Sequence, residues 1–267
     1  MDLNTVTSVR RASDRADLAG LGPDTDVLAG GTWMYSDPQV HLRELVDVTG
    51  FGWPPLTVTD AGLEIAATCT LAELSRFAGS PEWTAVPLFR LCCTALVGSF
   101  KIWNVATVGG NICLALPAGP MTSLCAALDG VAMIWTPDGG ERRVPVAEFV
   151  VGDRRTVLAP GEVLRAVHLP AAALRSRTAY RKTALSPLGR SASLVIGRVD
   201  PDGTFVLTVT AATDRPYRFA FPAVPGSGDL AAALATIPAW FDDPHGAPDW
   251  RQTVTGLLAE EIRKELA

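Results

Sequence analysis

Two short stretches combine the residue types and spacing that chemistry on an anion requires. Asp26-Val27-Leu28-Ala29 is an apolar run that feeds Gly30-Gly31-Thr32-Trp33, and Ala106 leads into Thr107-Val108-Gly109-Gly110-Asn111. Glycine has no Cβ and enters backbone regions closed to other residues, so a Gly-Gly pair can turn several N–H groups into one concavity. Such a concavity suits phosphate. Two of them, each delivered by an apolar segment, predict a clasp that holds a single diphosphate from two sides. A third pair, Gly139-Gly140 within Thr136-Pro137-Asp138-Gly139-Gly140-Glu141, reads as a plain hairpin turn.

The elements that must position these stretches are legible in outline. Val27 to Ala29 read as the first core strand and Leu45 to Val48 as the next. Leu56 to Thr59 and Leu63 to Ala67 alternate apolar and polar residues around Asp60-Ala61-Gly62, which predicts a hairpin. Thr70-Leu71-Ala72-Glu73 has capping-box spacing and predicts a helix start. Val86, Phe89, Arg90, Cys93 and Val97 predict a second helix that ends at Gly98 and hands the chain to a Thr107 loop. Leu194 to Val199 and Phe205 to Ala211 flank Asp200-Pro201-Asp202-Gly203, a hairpin signal. A terminal helix opening at Asp249 is expected to bury Trp250, Val254, Leu257, Leu258, Ile262 and Leu266.

Composition narrows the class. A chain of 267 residues with 48% hydrophobic and 19% charged residues can bury a full core and is not disordered. Its net charge of -5 and the lack of a basic stripe argue against a nucleic-acid partner. No apolar run reaches the roughly 18 residues of a membrane span, and the N-terminus has no signal-peptide pattern. A cytoplasmic protein is expected. The five cysteines show no CxxC spacing and the three histidines stand singly, so no metal site and no cluster of the chain's own are expected. Nor does any side chain stand out as a catalytic acid or base. The strand and helix order lacks a clean βαβ alternation and no GxGxxG follows a strand, which argues against a Rossmann reading.

Leu28-Ala29-Gly30-Gly31-Thr32 and Thr107-Val108-Gly109-Gly110-Asn111, followed by Pro117-Ala118-Gly119 and Ala126-Ala127-Leu128-Asp129, resemble the FAD-binding (medium) subunit of the molybdenum hydroxylases, the family of xanthine dehydrogenase and carbon monoxide dehydrogenase. The similarity continues in Leu45-Val46-Asp47-Val48, Pro160-Gly161-Glu162-Val163-Leu164 and Ala179-Tyr180-Arg181-Lys182, in order along nearly the whole chain. The resemblance implies an α+β fold: a PCMH-type, vanillyl-alcohol-oxidase-like FAD-binding domain in two subdomains over residues 1–170. A C-terminal domain over 171–267, like that of the carbon monoxide dehydrogenase flavoprotein, would follow as a small three-stranded sheet with helices.

The same resemblance implies that Ala29, Gly30, Gly31, Thr32 and Trp33 hold one side of the FAD pyrophosphate through backbone amides. Thr107 with its hydroxyl, Gly109 and Gly110 with open backbone, and Asn111 with its amide would hold the other. Lys182 matches a family lysine that approaches the flavin. Trp33 and Trp103 are candidates to pack on the cofactor or simply to fill core. Two departures stand out. Leu116-Pro117-Ala118-Gly119-Pro120 replaces a Ser-Pro-Ala-Gly-Asp pattern, and Trp103 stands where an arginine often precedes the Thr-Gly-Gly segment.

The function implied is electron transfer through FAD, from the 2Fe-2S clusters of a small subunit to an acceptor such as NAD or oxygen, with substrate oxidised in a large molybdopterin subunit. Two alternatives stay open on sequence: a stand-alone FAD-dependent oxidoreductase acting directly on a small molecule, and a flavin-less assembly protein.

Overall fold

A computed structural model describes residues 3–267, and over these the strands sort into three sheets and one two-stranded ribbon. The first sheet places Glu44–Asp47 between Ser8–Arg11 and Thr25–Leu28, both neighbours running parallel to it. The second is antiparallel, in the order Leu56–Thr59, Gly62–Ala66, Val163–Pro170, Val131–Trp135, Glu141–Pro145. Its central strand buries Val163, Leu164, Ala166, Val167 and Leu169. Near-continuous burial of this kind belongs to a strand covered on both faces.

The third sheet is a consecutive antiparallel meander of four strands: Arg177–Thr183, Ser193–Val199, Phe205–Thr210 and Tyr217–Phe221. Three strands were expected. The additional one, Tyr217–Phe221, is an edge strand whose residues alternate between half-buried and exposed. It is five residues long and begins just after Pro216, so the sequence offers only a short, weak alternation there.

Helices Pro87–Ala95, Val108–Leu114 and Pro120–Ala127 pack between the second and third sheets. All eight residues of Pro120–Ala127 are buried, which explains its uniformly small and apolar composition, without a polar face. Leu124 alone, fully buried, contributes about 1.5–3 kcal/mol. Pro120 stands at the first position of this helix, where its missing N–H costs nothing.

Several expectations are met. The Leu56–Thr59 and Gly62–Ala66 hairpin forms, and Thr70 and Glu73 make the reciprocal capping box. Others shift. The second helix is shorter than its apolar run, Pro87–Ala95. The first strand is Ser8–Arg11 rather than the run before Gly30. Thr107 opens a helix instead of a loop. The terminal helix, Pro248–Leu266, buries Arg251, Thr255, Ala259, Ile262 and Leu266, and leaves Leu257 62% exposed. That rotation follows from the surface it lies on. Gly197 leaves room for Ile262, where a Cβ would collide with it, and Ser193 Oγ shares a 2.7 Å hydrogen bond with Thr255 Oγ1. No described helix is long and apolar enough to cross a membrane.

Candidate functional site

The Thr25–Leu28 strand ends where its backbone leaves the parallel sheet, and Gly30 follows against the chain at Val105 and Ala106. A Cβ on Gly30 would overlap the Val105 carbonyl. Gly31 adopts φ +65°, the left-handed region that glycine enters without strain. The second segment is pinned just as closely. Val108 N–H donates to the Cys69 carbonyl at 2.8 Å, Gly109 N–H donates to the Ala67 carbonyl at 2.9 Å, and Leu71 N–H donates to the Ala106 carbonyl at 3.0 Å. Segments 29–33, 67–71 and 105–109 therefore interlock.

Together they wall a cavity of about 790 Å³, within the roughly 300–1,000 Å³ typical of cofactor sites. Nine of the ten residues expected to hold the nucleotide line it: Ala29 through Trp33 on one side, and Thr107, Gly109, Gly110 and Asn111 on the other. Lys182 is the exception. It borders a separate shallow pocket with residues 183–187 and does not reach this cavity.

The two sides differ in what they can still donate. Among the described residues the N–H groups of Gly30, Gly31, Thr32 and Trp33 find no protein acceptor. On the other side the backbone donors are already used. Besides Val108 and Gly109, Gly110 N–H donates to Thr107 Oγ1 at 3.0 Å and Asn111 N–H to the Thr107 carbonyl at 3.0 Å. The Thr107 hydroxyl keeps its proton to donate. Asn111 Oδ1 accepts from Met121 N–H at 2.9 Å and so caps the next helix, which leaves its amide NH2 for other partners. The glycines consequently serve the protein's own packing, where open approach to phosphate was expected. A Cβ on Gly109 would stand 2.5 Å from that of Ala67, and one on Gly110 would stand 2.9 Å from the cap hydroxyl.

Sequence reasoning missed the charged part of the wall. Arg154 and Arg190 both line the cavity. The Arg154 guanidinium lies 5.1 Å from the Trp33 ring centroid and 3.5 Å from the Asp37 carboxylate. Its own N–H donates to the Ala115 carbonyl at 3.0 Å, and both residues hold left-handed φ, 54° and 51°. Such strain in non-glycine residues persists only where surrounding contacts enforce it. Arg154 thus bridges the ends of both glycine segments. The one available signal was its place beside Asp153 in a turn.

Glu162, also in the wall, accepts from Arg142 Nε at 2.7 Å and from Ala159 N–H at 2.8 Å. The Arg142 guanidinium holds its carboxyl below the usual carboxylate range. Cys113 reaches the wall as well, and burial pushes its thiol up to about 12, so it stays protonated and unreactive. Leu116 and Gly119 line the cavity but Pro120 and Trp103 do not, and Trp103 packs on the core. No group of three or more potential metal ligands occurs among the described residues.

Unspent N–H groups, a hydroxyl, an amide and two guanidiniums lining a mostly apolar cavity form a donor set suited to an aromatic dinucleotide with a charged middle. Comparison with known proteins agrees. The family described as FAD binding domain in molybdopterin dehydrogenase matches residues 4–172, more than half the chain. Xanthine dehydrogenase 1 of Arabidopsis thaliana is 27% identical over 158 residues, 55% of this chain but 12% of that protein. The putative xanthine dehydrogenase FAD-binding subunit XdhB of Escherichia coli is 30% identical over 172 residues, 61% of this chain and 57% of that one. The chain therefore matches only part of each relative's length. Reconstituted CO dehydrogenase from Oligotropha carboxidovorans contains a chain that superposes with a TM-score of 0.82, at 22% identity and full coverage of both. The chain belongs to the family of FAD-binding domains of molybdopterin dehydrogenases.

Proposed function

We propose that the chain holds FAD noncovalently in the 790 Å³ cavity and serves as the electron-transferring subunit of a molybdenum-hydroxylase-type dehydrogenase. The observation that carries this reading is the convergence of the Gly30 and Thr107 segments on one cavity, with four unspent N–H groups on the Gly30 side. When bound, FAD supplies the redox chemistry, taking electrons singly or in pairs. The protein's part is binding and orientation. Gly30 to Trp33 donate to the pyrophosphate through the backbone, Thr107 through its hydroxyl and Asn111 through its side-chain amide.

Residues 1–170 would form the two-part PCMH-type flavin domain, and 171–267 the C-terminal unit, which contributes Arg190 to the cavity wall. Electrons would arrive from 2Fe-2S clusters of a small partner and leave to NAD or oxygen, with substrate oxidised in a large molybdopterin subunit in the cytoplasm. Co-purification from the native host tests the assembly: the two partner subunits should accompany the chain. Turnover of a small molecule by the chain alone would contradict it. A visible spectrum of the purified chain, reconstituted with FAD and freed of excess, should show bound flavin.

A further inference from the structure

Arg190 stands in the cavity wall on the connection between strands Arg177–Thr183 and Ser193–Val199. Its guanidinium is charged at every physiological pH. The other arginine of the wall, Arg154, has Asp37 as a partner. Among the described residues Arg190 makes no ion pair and no side-chain hydrogen bond.

Its charged neighbour is a second cation. Arg251 is buried, 1% exposed, and its Nη1 donates to the Ala192 carbonyl at 2.5 Å, two residues from Arg190. Burial lowers the pKa of Arg251, and the proximity of Arg190 lowers it further. The carboxylate that answers this charge, Asp243, pairs with Arg251 itself. A guanidinium placed beside another without a carboxylate of its own is unfavourable until an anion joins them. Ser191, next in the chain, is 2% exposed and its hydroxyl has no partner.

The same connection is tied to the wall that carries Leu116 and Gly119. Ala211 N–H donates to the Pro117 carbonyl at 2.9 Å, and Arg251 Nη1 bridges the carbonyls of Ala192 and Ala211. The carboxylates in the cavity wall are Asp26 and Glu162, and neither forms an ion pair with Arg190.

We propose that Arg190 is a ligand-binding residue that answers the negative charge of bound FAD from the side of the C-terminal sheet. This rests on the FAD reading above. With the backbone donors of the Thr107 segment used internally, a cation in the same cavity wall adds a charged complement to the dianionic pyrophosphate.

Equilibrium titration of the flavin-free full chain with FAD, followed by flavin fluorescence, tests the assignment. Arg190→Gln should bind FAD about tenfold more weakly than wild type and with a shallower salt dependence. Arg190→Lys should restore most of the affinity. Without FAD, Arg190→Gln should melt at or above wild type, because a like-charge contact is relieved. Equal FAD affinity in wild type and Arg190→Gln overturns the assignment alone, as does a lower melting point that accounts for the weaker binding. Absence of FAD binding by wild type overturns the FAD reading and the assignment with it.

Discussion

Gly109 donates its N–H to the Ala67 carbonyl at 2.9 Å, and a Cβ at Gly109 would stand 2.5 Å from the Ala67 Cβ. The helix that walls the cavity is therefore seated directly on the chain leaving strand Gly62–Ala66. Gly109→Ala should force the two apart and cost about 1–3 kcal/mol, as overpacking does. Gly110→Ala crowds only the Thr107 cap and should cost about 1 kcal/mol. Urea denaturation of the flavin-free chain measures both, and equal losses would contradict the packing account.

Arg251 joins segments that are far apart in sequence. It donates to the carbonyls of Gly246, Ala192 and Ala211 and pairs with Asp243. Arg251→Met leaves those carbonyls and a carboxylate without their donor and should destabilise by about 3–5 kcal/mol. Hydrogen exchange should rise at residues 190–193 and 210–213. Unchanged protection there would show that the arginine holds nothing together.

Acid should loosen the cavity wall at Glu162. Its folded pKa is held below the ordinary glutamate value of 4.5 by the Arg142 hydrogen bond, so its contribution is present above about pH 4.5 and is lost as pH falls through the lowered value. Glu162→Gln should cost about 1.5 kcal/mol at neutral pH, the low end for charged hydrogen bonds because Arg142 is a third exposed. The variant should also lose less stability than wild type between pH 5 and pH 3. Parallel pH profiles of melting temperature for the two proteins would contradict this.

Lys182 separates resemblance from geometry. The motif Ala179-Tyr180-Arg181-Lys182 suggests a flavin contact, whereas the structure puts Lys182 at the edge of another pocket, with its pKa lowered by burial. Lys182→Gln should leave FAD affinity within about twofold of wild type, a change of at most ~0.4 kcal/mol. A tenfold loss in the same titration would restore it to the site.

The glycine pairs pointed to the cavity because the apolar run that leads into each is a local feature of the sequence. Their physical reason was not local. Gly30 is required by Val105 and Gly109 by Ala67, contacts across 75 and 42 residues that no motif announces. The arginines escaped for the same cause. Isolated Arg154, Arg190 and Arg251 read as solvated charge, and only the tertiary fold brings Trp33 under one, the cavity wall to another and three carbonyls to the third. Hairpins closed by Asp-Gly turns were legible, whereas the edge strand Tyr217–Phe221 and the roll of the terminal helix depended on partners.

A crystal structure of the chain with FAD measures the central claim directly. The account predicts one nucleotide between the two segments, its pyrophosphate oxygens within about 3 Å of N–H groups from Gly30 to Trp33 and of the Thr107 hydroxyl. The backbone N–H groups of Gly109 and Gly110 should stay bonded to Ala67 and Thr107. A pyrophosphate bound elsewhere, or held by the Gly109 and Gly110 amides with those protein bonds broken, would contradict it.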